Sequence, residues 1–73
     1  MKENKRVSSF ATRLKELRQE KDISQRKLAE EVGIESTLIS AWERKKYTPN
    51  LECVVKLAEY FEVTVGYMAG FEE

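Results

Sequence analysis

Residues 25–44 read QRKLAEEVGIESTLISAWER, and this stretch decides the fold. The small Ala29 permits a second helix to cross close to a first, and Gly33 can adopt the positive φ of a tight turn between them. Ile39 and Trp42 lie three residues apart, on one face of the second helix, where they can fix its angle against the first. The other apolar residues of the stretch are Leu28, Val32 and Ile34. The pattern predicts two short helices that meet at Gly33.

Apolar residues recur at helical spacing on both sides of this stretch. Phe10, Leu14 and Leu17 follow one another at i, i+4 and i+7, and they predict a first helix that starts at a cap on Ser8 or Ser9 and ends near residue 21. Four further helices are predicted downstream. Ser24 would cap a helix at 25–32, and Glu35 or Ser36 would cap a helix that ends at 43 or 44. Asn50 would cap a helix at 51–61, and Thr64 would cap one at 65–69. The sequence therefore predicts an all-α fold, a compact five-helix bundle.

The chain has the organisation of one domain. Residues 1–8 are polar and basic without periodicity, and we expect a flexible N-terminal arm there. Residues 9–70 carry all the predicted helices, and residues 71–73 remain as a short C-terminal tail. Neither an internal repeat nor a linker divides this region, so we expect a single domain at 9–70.

Composition excludes several classes of protein. No apolar run approaches the roughly 20 residues of a membrane span, and no signal peptide is present. The absence of His removes the commonest general base, and with one Cys the usual structural zinc ligand sets cannot be assembled. The single Cys53 cannot form an intramolecular disulfide, which fits a reducing compartment. We expect a cytoplasmic protein that is not an enzyme and has no cofactor, metal or membrane contact.

The net charge of zero conceals an uneven distribution of charge. Residues 1–48 carry 12 Lys and Arg against 8 Asp and Glu, a net of +4, whereas residues 49–73 carry 1 against 5, a net of −4. A basic first part favours a polyanionic partner. Solvated surface helices with chance clustering of charge would give the same counts, so the charge alone leaves both interpretations open.

The paired helices at Gly33 fit a helix-turn-helix, in which the second helix presents its outer face to the major groove of DNA. From Phe10 to Gly70 the chain resembles the Cro/phage-repressor family of bacterial helix-turn-helix regulators. The stretches that carry the resemblance are RLKELRQEKDISQRKLAEEVGI (13–34), LISAWERKKYTPNL (38–51) and LAEYFEVTVGYMAG (57–70). The resemblance implies a lambda-repressor-like DNA-binding domain with its helix-turn-helix at helices 2 and 3.

The resemblance also implies which residues bind double-stranded DNA. On the outer face of the third helix, the residues that would contact base edges are Ser36, Thr37, Ser40 and Ala41. The first residue of the second helix, Gln25, would clamp a phosphate. The loop after the third helix would follow the DNA backbone, and its residues are Arg44, Lys45, Lys46 and Tyr47. Arg18 and Glu43 match a family ion pair that joins the first helix to the third.

The sequence departs from the family at three places. The third helix lacks the Arg, Gln or Asn that make bidentate base contacts. Glu35 precedes that helix and would repel a nearby phosphate unless its side chain points aside. Lys45 stands where the family usually has Gly, so either it adopts a positive φ or the loop differs. We interpret Trp42 as a core residue rather than a base-stacking platform, and Cys53 as a core or boundary residue.

The resemblance thus implies a transcriptional repressor that binds a two-fold operator as a homodimer through its C-terminal helices. Tyr60, Tyr67 and Phe71 either close the core or form the self-association patch. Two alternatives use the same fold: the DNA-binding part of a longer repressor, or an antitoxin that regulates its own operon. A protein-interaction module that has lost DNA binding is the alternative from another class, favoured by the zero net charge.

Overall fold

The computed structural model describes the backbone of residues 5–72 and the side chains from Ser9 onward. Within that range the chain forms five helices and no strand, which confirms the all-α class. The helices are α1 (Lys5–Glu20), α2 (Gln25–Val32), α3 (Ser36–Glu43), α4 (Leu51–Phe61) and α5 (Val65–Ala69). α2 packs on α3 and α4, while α1 packs on α3 and α5 and α4 also contacts α5.

Each helix contributes one completely buried side chain to a common core. Four of the five helices are shorter than the roughly 12–15 residues at which an isolated helix becomes marginally stable, so tertiary packing must stabilise them. The side chains with no exposed surface are Leu14, Leu28, Ile39, Leu57 and Met68, in helix order. The predicted apolar stripes therefore all point to one centre.

Side-chain caps begin three of the helices as the sequence predicts. Ser24, Asn50 and Thr64 each have extended backbone, and each side-chain oxygen accepts a hydrogen bond from an amide of the first helical turn. The donating amides belong to Lys27, Cys53 and Tyr67, with N···O distances of 3.0, 2.9 and 3.0 Å. A cap of this kind stabilises a helix by about 1 kcal/mol.

The first helix begins earlier than the sequence predicts. α1 starts at Lys5, so residues 5–8 are helical, and the prediction that the helix begins at Ser8 or Ser9 is wrong. Lys and Arg have high helix propensity and extend the helix one turn ahead of its apolar stripe. Of the predicted arm, residues 1–4 lie outside the described residues.

The C-terminal residues fold back onto the domain instead of forming a separate tail. The amides of Phe71 and Glu72 donate to the carbonyl oxygen of Gly66 at 2.8 and 3.2 Å. Arg13 of α1 donates to the carbonyl oxygens of Tyr67, at 2.6 Å, and of Glu72, and its guanidinium carbon lies 4.3 Å from the centre of the Tyr67 ring. The packed part of the chain thus reaches at least Glu72, and Glu73 lies outside the described residues.

Candidate DNA-binding surface

α2 and α3 are joined by the tight turn predicted at Gly33. Gly33 has φ 71° and ends α2, and both its amide and that of Ile34 donate to the carbonyl oxygen of Ala29, at 2.9 and 3.1 Å. Ala29 and Ile34 are buried on the inner side of the turn. The turn is therefore fixed by the backbone and by the core, and the direction of α3 follows from it.

Arg18 and Glu43 form the ion pair that the resemblance implies. Arg18 Nε donates to Glu43 Oε2 at 2.7 Å and Nη2 donates to Oε1 at 3.0 Å, while Nη1 donates to the carbonyl oxygen of Ile23 at 2.9 Å. The exposed fraction is 14% for the Arg18 side chain and 4% for Glu43. The pair is thus bidentate and nearly removed from water, a geometry that ties the end of α1 to the end of α3.

Gln25 joins this ion pair, a contact that sequence reasoning missed. Its Nε2 donates to Glu43 Oε1 at 3.0 Å, so one carboxylate holds α1, α2 and α3 together. The hydrogen bonding that Arg18 donates to the Glu43 carboxylate is the main cause that raises the pKa of Arg18, and burial opposes it. Because Arg is already charged at every working pH, the raised pKa of Arg18 does not change its charge. The phosphate-clamp role of Gln25 stays a prediction.

Only two of the four α3 residues that the resemblance assigns to base contact are exposed. Ser36 and Thr37 are exposed on the first turn of α3, whereas Ser40 is half-buried and accepts a hydrogen bond from Arg44 Nε at 3.3 Å. Ala41 is only 5% exposed, which leaves little of its surface for a base edge, and its base contact stays a prediction. The chain turns back at this point, with the amide of Lys46 donating to the Ala41 carbonyl oxygen at 2.9 Å.

Leu38 is a surface residue that the sequence analysis did not single out. Its side chain is 40% exposed on α3, directly after Thr37. The signal was present in the sequence, because Leu38 falls about 100° away from Ile39 around the helix and outside the stripe made by Ile39 and Trp42. An exposed aliphatic side chain beside polar ones suits contact with a thymine methyl group.

The loop after α3 presents the predicted cations to solvent. Arg44, Lys45, Lys46 and Tyr47 are all exposed. Lys45 has φ 64°, so of the two possibilities for this position the chain adopts the left-handed one, at a cost of about 1 kcal/mol for a residue with a Cβ. The amide of Lys45 donates to the Trp42 carbonyl oxygen at 3.0 Å, which fixes the loop against the end of α3.

Glu35 is the N-cap residue of α3, and its side chain makes no capping hydrogen bond. Replacing Glu35 with Ser is expected to raise the free energy of unfolding by about 1 kcal/mol, because a serine hydroxyl can accept from an amide of the first turn. Urea denaturation followed by far-UV circular dichroism measures the change. Glu35→Gln is the control, since it removes the charge without supplying a short capping oxygen. Equal stability of the two variants would contradict the capping argument.

Two further kinds of site are absent from the described part of the chain. Among residues 5–72, no helix has the length and apolar character needed to cross a membrane. No group of three or more His, Cys, Asp or Glu side chains in the same range is placed to hold a metal ion. The features that the described residues do present are the exposed first turn of α3 and the basic loop after it.

α3 is a short helix that a tight turn joins to α2 and an ion pair joins to α1, and its first turn is exposed. This arrangement is that of the helix-turn-helix class of DNA-binding domains. Comparison with known proteins agrees, because residues 11–69 match the family described as helix-turn-helix domain. The chain belongs to this family, in its Cro/phage-repressor type. The class consists of DNA-binding domains and not of enzymes.

Characterised relatives are similar over most of this chain. The transcriptional activator BcrR of Enterococcus faecalis is 36% identical over 88% of the chain and 31% of its own length. The CTXphi transcriptional repressor RstR of Vibrio cholerae is 30% identical over 88% of the chain and 58% of its length. The transcriptional regulator ImmR of Bacillus subtilis is 32% identical over 89% of the chain and 51% of its own length. The chain thus spans between 31% and 58% of the length of these relatives.

Proposed function

We propose that the protein is a sequence-specific transcriptional repressor that binds a two-fold operator in double-stranded DNA as a homodimer. The observation that carries the proposal is the exposure of Ser36 and Thr37 on the first turn of α3. At the other end of α3, the side chain of Glu43 is nearly buried and accepts three hydrogen bonds. A reading helix must be rigid at one end and open at the other. We expect the protein in the cytoplasm, at the nucleoid, where it would meet its DNA partner.

α3 enters the major groove with its first turn foremost. Ser36 and Thr37 hydroxyls donate to or accept from base edges, and Leu38 contacts a thymine methyl group. Hydroxyls bond several bases, so much of the selectivity comes from groove shape and from the apolar contact rather than from bidentate pairs.

Phosphate contacts position the helix. Lys45 and Lys46 lie in the exposed loop after α3, where they can reach the backbone of one strand. Gln25 opens α2, whose first-turn amides and positive dipole end favour a phosphate of the other strand. One N–H of the Gln25 amide is used by Glu43, and the second N–H remains for the phosphate.

Exposed apolar residues near the C-terminal helices support self-association. Val65 at the start of α5 is 37% exposed, Leu51 at the start of α4 is 70% exposed, and Phe71 is 65% exposed. A two-fold pairing through this region would place two copies of α3 about 34 Å apart, one turn of DNA. Repression then follows from occupation of a promoter by the dimer. One relative is named an activator and another a repressor, so proteins similar to this chain are described with both directions of regulation.

The proposal is tested by selecting bound sites from randomised duplexes at about 0.1 M salt, close to physiological screening. Enrichment of a two-fold motif with half-sites about 10 base pairs apart is the expected result. A single unpaired half-site would overturn the dimer. Binding without enrichment, lost as salt rises, would overturn sequence-specific reading and favour the interaction-module alternative.

Two substitutions separate positioning from reading. Lys46→Ala is expected to weaken binding to all sequences alike and to lower the salt slope by about one unit, because it removes one phosphate contact. Thr37→Ala is expected to leave the salt slope unchanged and to alter preference at one base pair. Titration of selected and scrambled duplexes at several salt concentrations measures both. An unchanged affinity of Lys46→Ala at every salt concentration would contradict the proposed docking.

A further inference from the structure

A surface depression lies between the outer side of α1 and the C-terminal end of α3. Its volume is about 300 Å³, enough for a phosphate group with its water, and its walls are polar and apolar in nearly equal parts. The polar residues that line it are Thr12, Lys15, Glu16 and Gln19 from α1, and Glu43 and Lys45 from α3 and the loop. Thr12, Lys15 and Gln19 recur at i, i+3 and i+7, so α1 presents them as one row along the depression.

The depression lies at the distance from the reading turn where DNA backbone is expected. α3 has 8 residues and is about 12 Å long at 1.5 Å per residue. The major groove is also about 12 Å wide, so a helix whose first turn lies in the groove has its last turn near a flanking row of phosphates. Glu43 and Lys45 are at that end of α3, and they form one side of the depression.

The charges around the depression favour an anion. Glu43 contributes little negative field, because Arg18 and Gln25 donate three hydrogen bonds to its carboxylate. Lys15, Lys45 and Glu16 also line the depression, so its lining carries two positive charges against one further negative charge. Thr12 and Gln19 supply neutral donors. Such a set matches one phosphate diester better than a carboxylate-rich or apolar ligand.

We propose that this depression is a DNA-backbone subsite, in which Lys15 of α1, with Lys45, binds a phosphate that flanks the operator half-site. The proposal deepens the proposed function and rests on α3 docking in the major groove. α1 thereby becomes part of the DNA interface instead of only a support for α3. Glu16 works against the contact and limits its strength.

The test compares substitutions of opposite sign with matched controls. Lys15→Ala is expected to lower affinity two- to fivefold at about 0.1 M salt and to reduce the salt slope by about one unit. Glu16→Gln is expected to raise affinity by about twofold, since it removes a carboxylate from the same depression. Lys56→Ala and Glu59→Gln are the controls, because these exposed residues line a separate groove with Glu31, Val32 and Tyr60.

A duplex with single neutral methylphosphonate linkages locates the contact. If Lys15 binds a phosphate, one neutral linkage flanking the half-site will abolish the difference between Lys15→Ala and the wild type. If Lys15→Ala and Glu16→Gln change the DNA affinity and salt slope no more than Lys56→Ala and Glu59→Gln do, the subsite is overturned. When the wild type also selects a motif and Lys46→Ala behaves as expected, this outcome overturns the subsite and leaves the proposed function standing. A wild type that selects no motif overturns the proposed function itself.

Discussion

Replacing Glu43 with alanine is expected to lower the free energy of unfolding by about 3 kcal/mol, the lower end of the cost of breaking a buried ion pair. The carboxylate accepts two hydrogen bonds from Arg18 and one from Gln25, so its loss leaves three donors without their acceptor. Arg18 keeps only its hydrogen bond to the Ile23 carbonyl oxygen and remains largely shielded from water. Urea denaturation followed by fluorescence of the single Trp42, which is buried, measures the loss.

Glu31→Ala is the matched control for this experiment. Glu31 also pairs with a cation, Lys27, at 3.3 Å, but the two side chains are 40% and 56% exposed. An exposed pair four residues apart on a helix contributes only about 0.3–0.5 kcal/mol. The same chemical change should therefore cost several times more at Glu43 than at Glu31. Losses of equal size would show that burial does not make the Arg18–Glu43 pair special.

The Glu43 variant should also bind DNA more weakly than its stability explains. The carboxylate joins three helices, and without it α3 is fixed at its C-terminal end only by the core and the loop. A reading helix that samples several angles loses affinity for the selected site more than for scrambled DNA, because base contacts depend on orientation and phosphate contacts less so. Titration with both duplexes at a temperature where the variant is folded measures this ratio.

Most of the fold was predictable from the sequence because its determinants are local. Ser24, Asn50 and Thr64 cap helices through amides three residues away, and Gly33 turns the chain with its own φ. The start of α1 was predicted wrongly because Ser8 and Ser9, good caps, lie inside the helix. Competition between a cap and the propensity of Lys5 and Arg6 has no clear winner in a sequence pattern.

The site was less predictable because it depends on contacts between distant residues. The bond from Gln25 to Glu43 spans 18 positions, and periodicity says nothing about it. The resemblance implies that Ala41 lies on the outer face, yet the residue is only 5% exposed where the amide of Lys46 donates to its carbonyl oxygen. In the same way, the hydrogen bonds from Arg13 to the carbonyl oxygens of Tyr67 and Glu72 join residues more than 50 positions apart. Contacts of this kind need the three-dimensional arrangement.

Substitution of Trp42 is the second change expected to have a large effect on stability. It distinguishes packing that supports α3 from direct contact with DNA bases. Trp42→Ala is expected to lower the free energy of unfolding by about 4 kcal/mol, as for large aromatic residues deleted from cores. The ring is 3% exposed and packs edge-on against Phe10, with centroids 6.0 Å apart. A chain of this size has a total stability of roughly 4–11 kcal/mol, so the loss removes between about a third and all of the stability. Far-UV circular dichroism during thermal denaturation measures the change.

Trp42→Leu decides between a core role and base stacking. Leucine refills part of the core and is expected to restore about half of the lost stability, but it offers no aromatic face to a base. With the ring buried against Phe10, folded Trp42→Leu should bind the selected duplex within about twofold of the wild type, since no stacking contact of about 1–3 kcal/mol is lost. A loss of affinity of tenfold or more (about 1.4 kcal/mol) in the folded variant, with Lys46→Ala unchanged in its salt effect, would place the ring at the DNA. Trp42 and Glu43 would then no longer act as one support for α3, because the first would belong to the reading surface and only the second to the frame behind it.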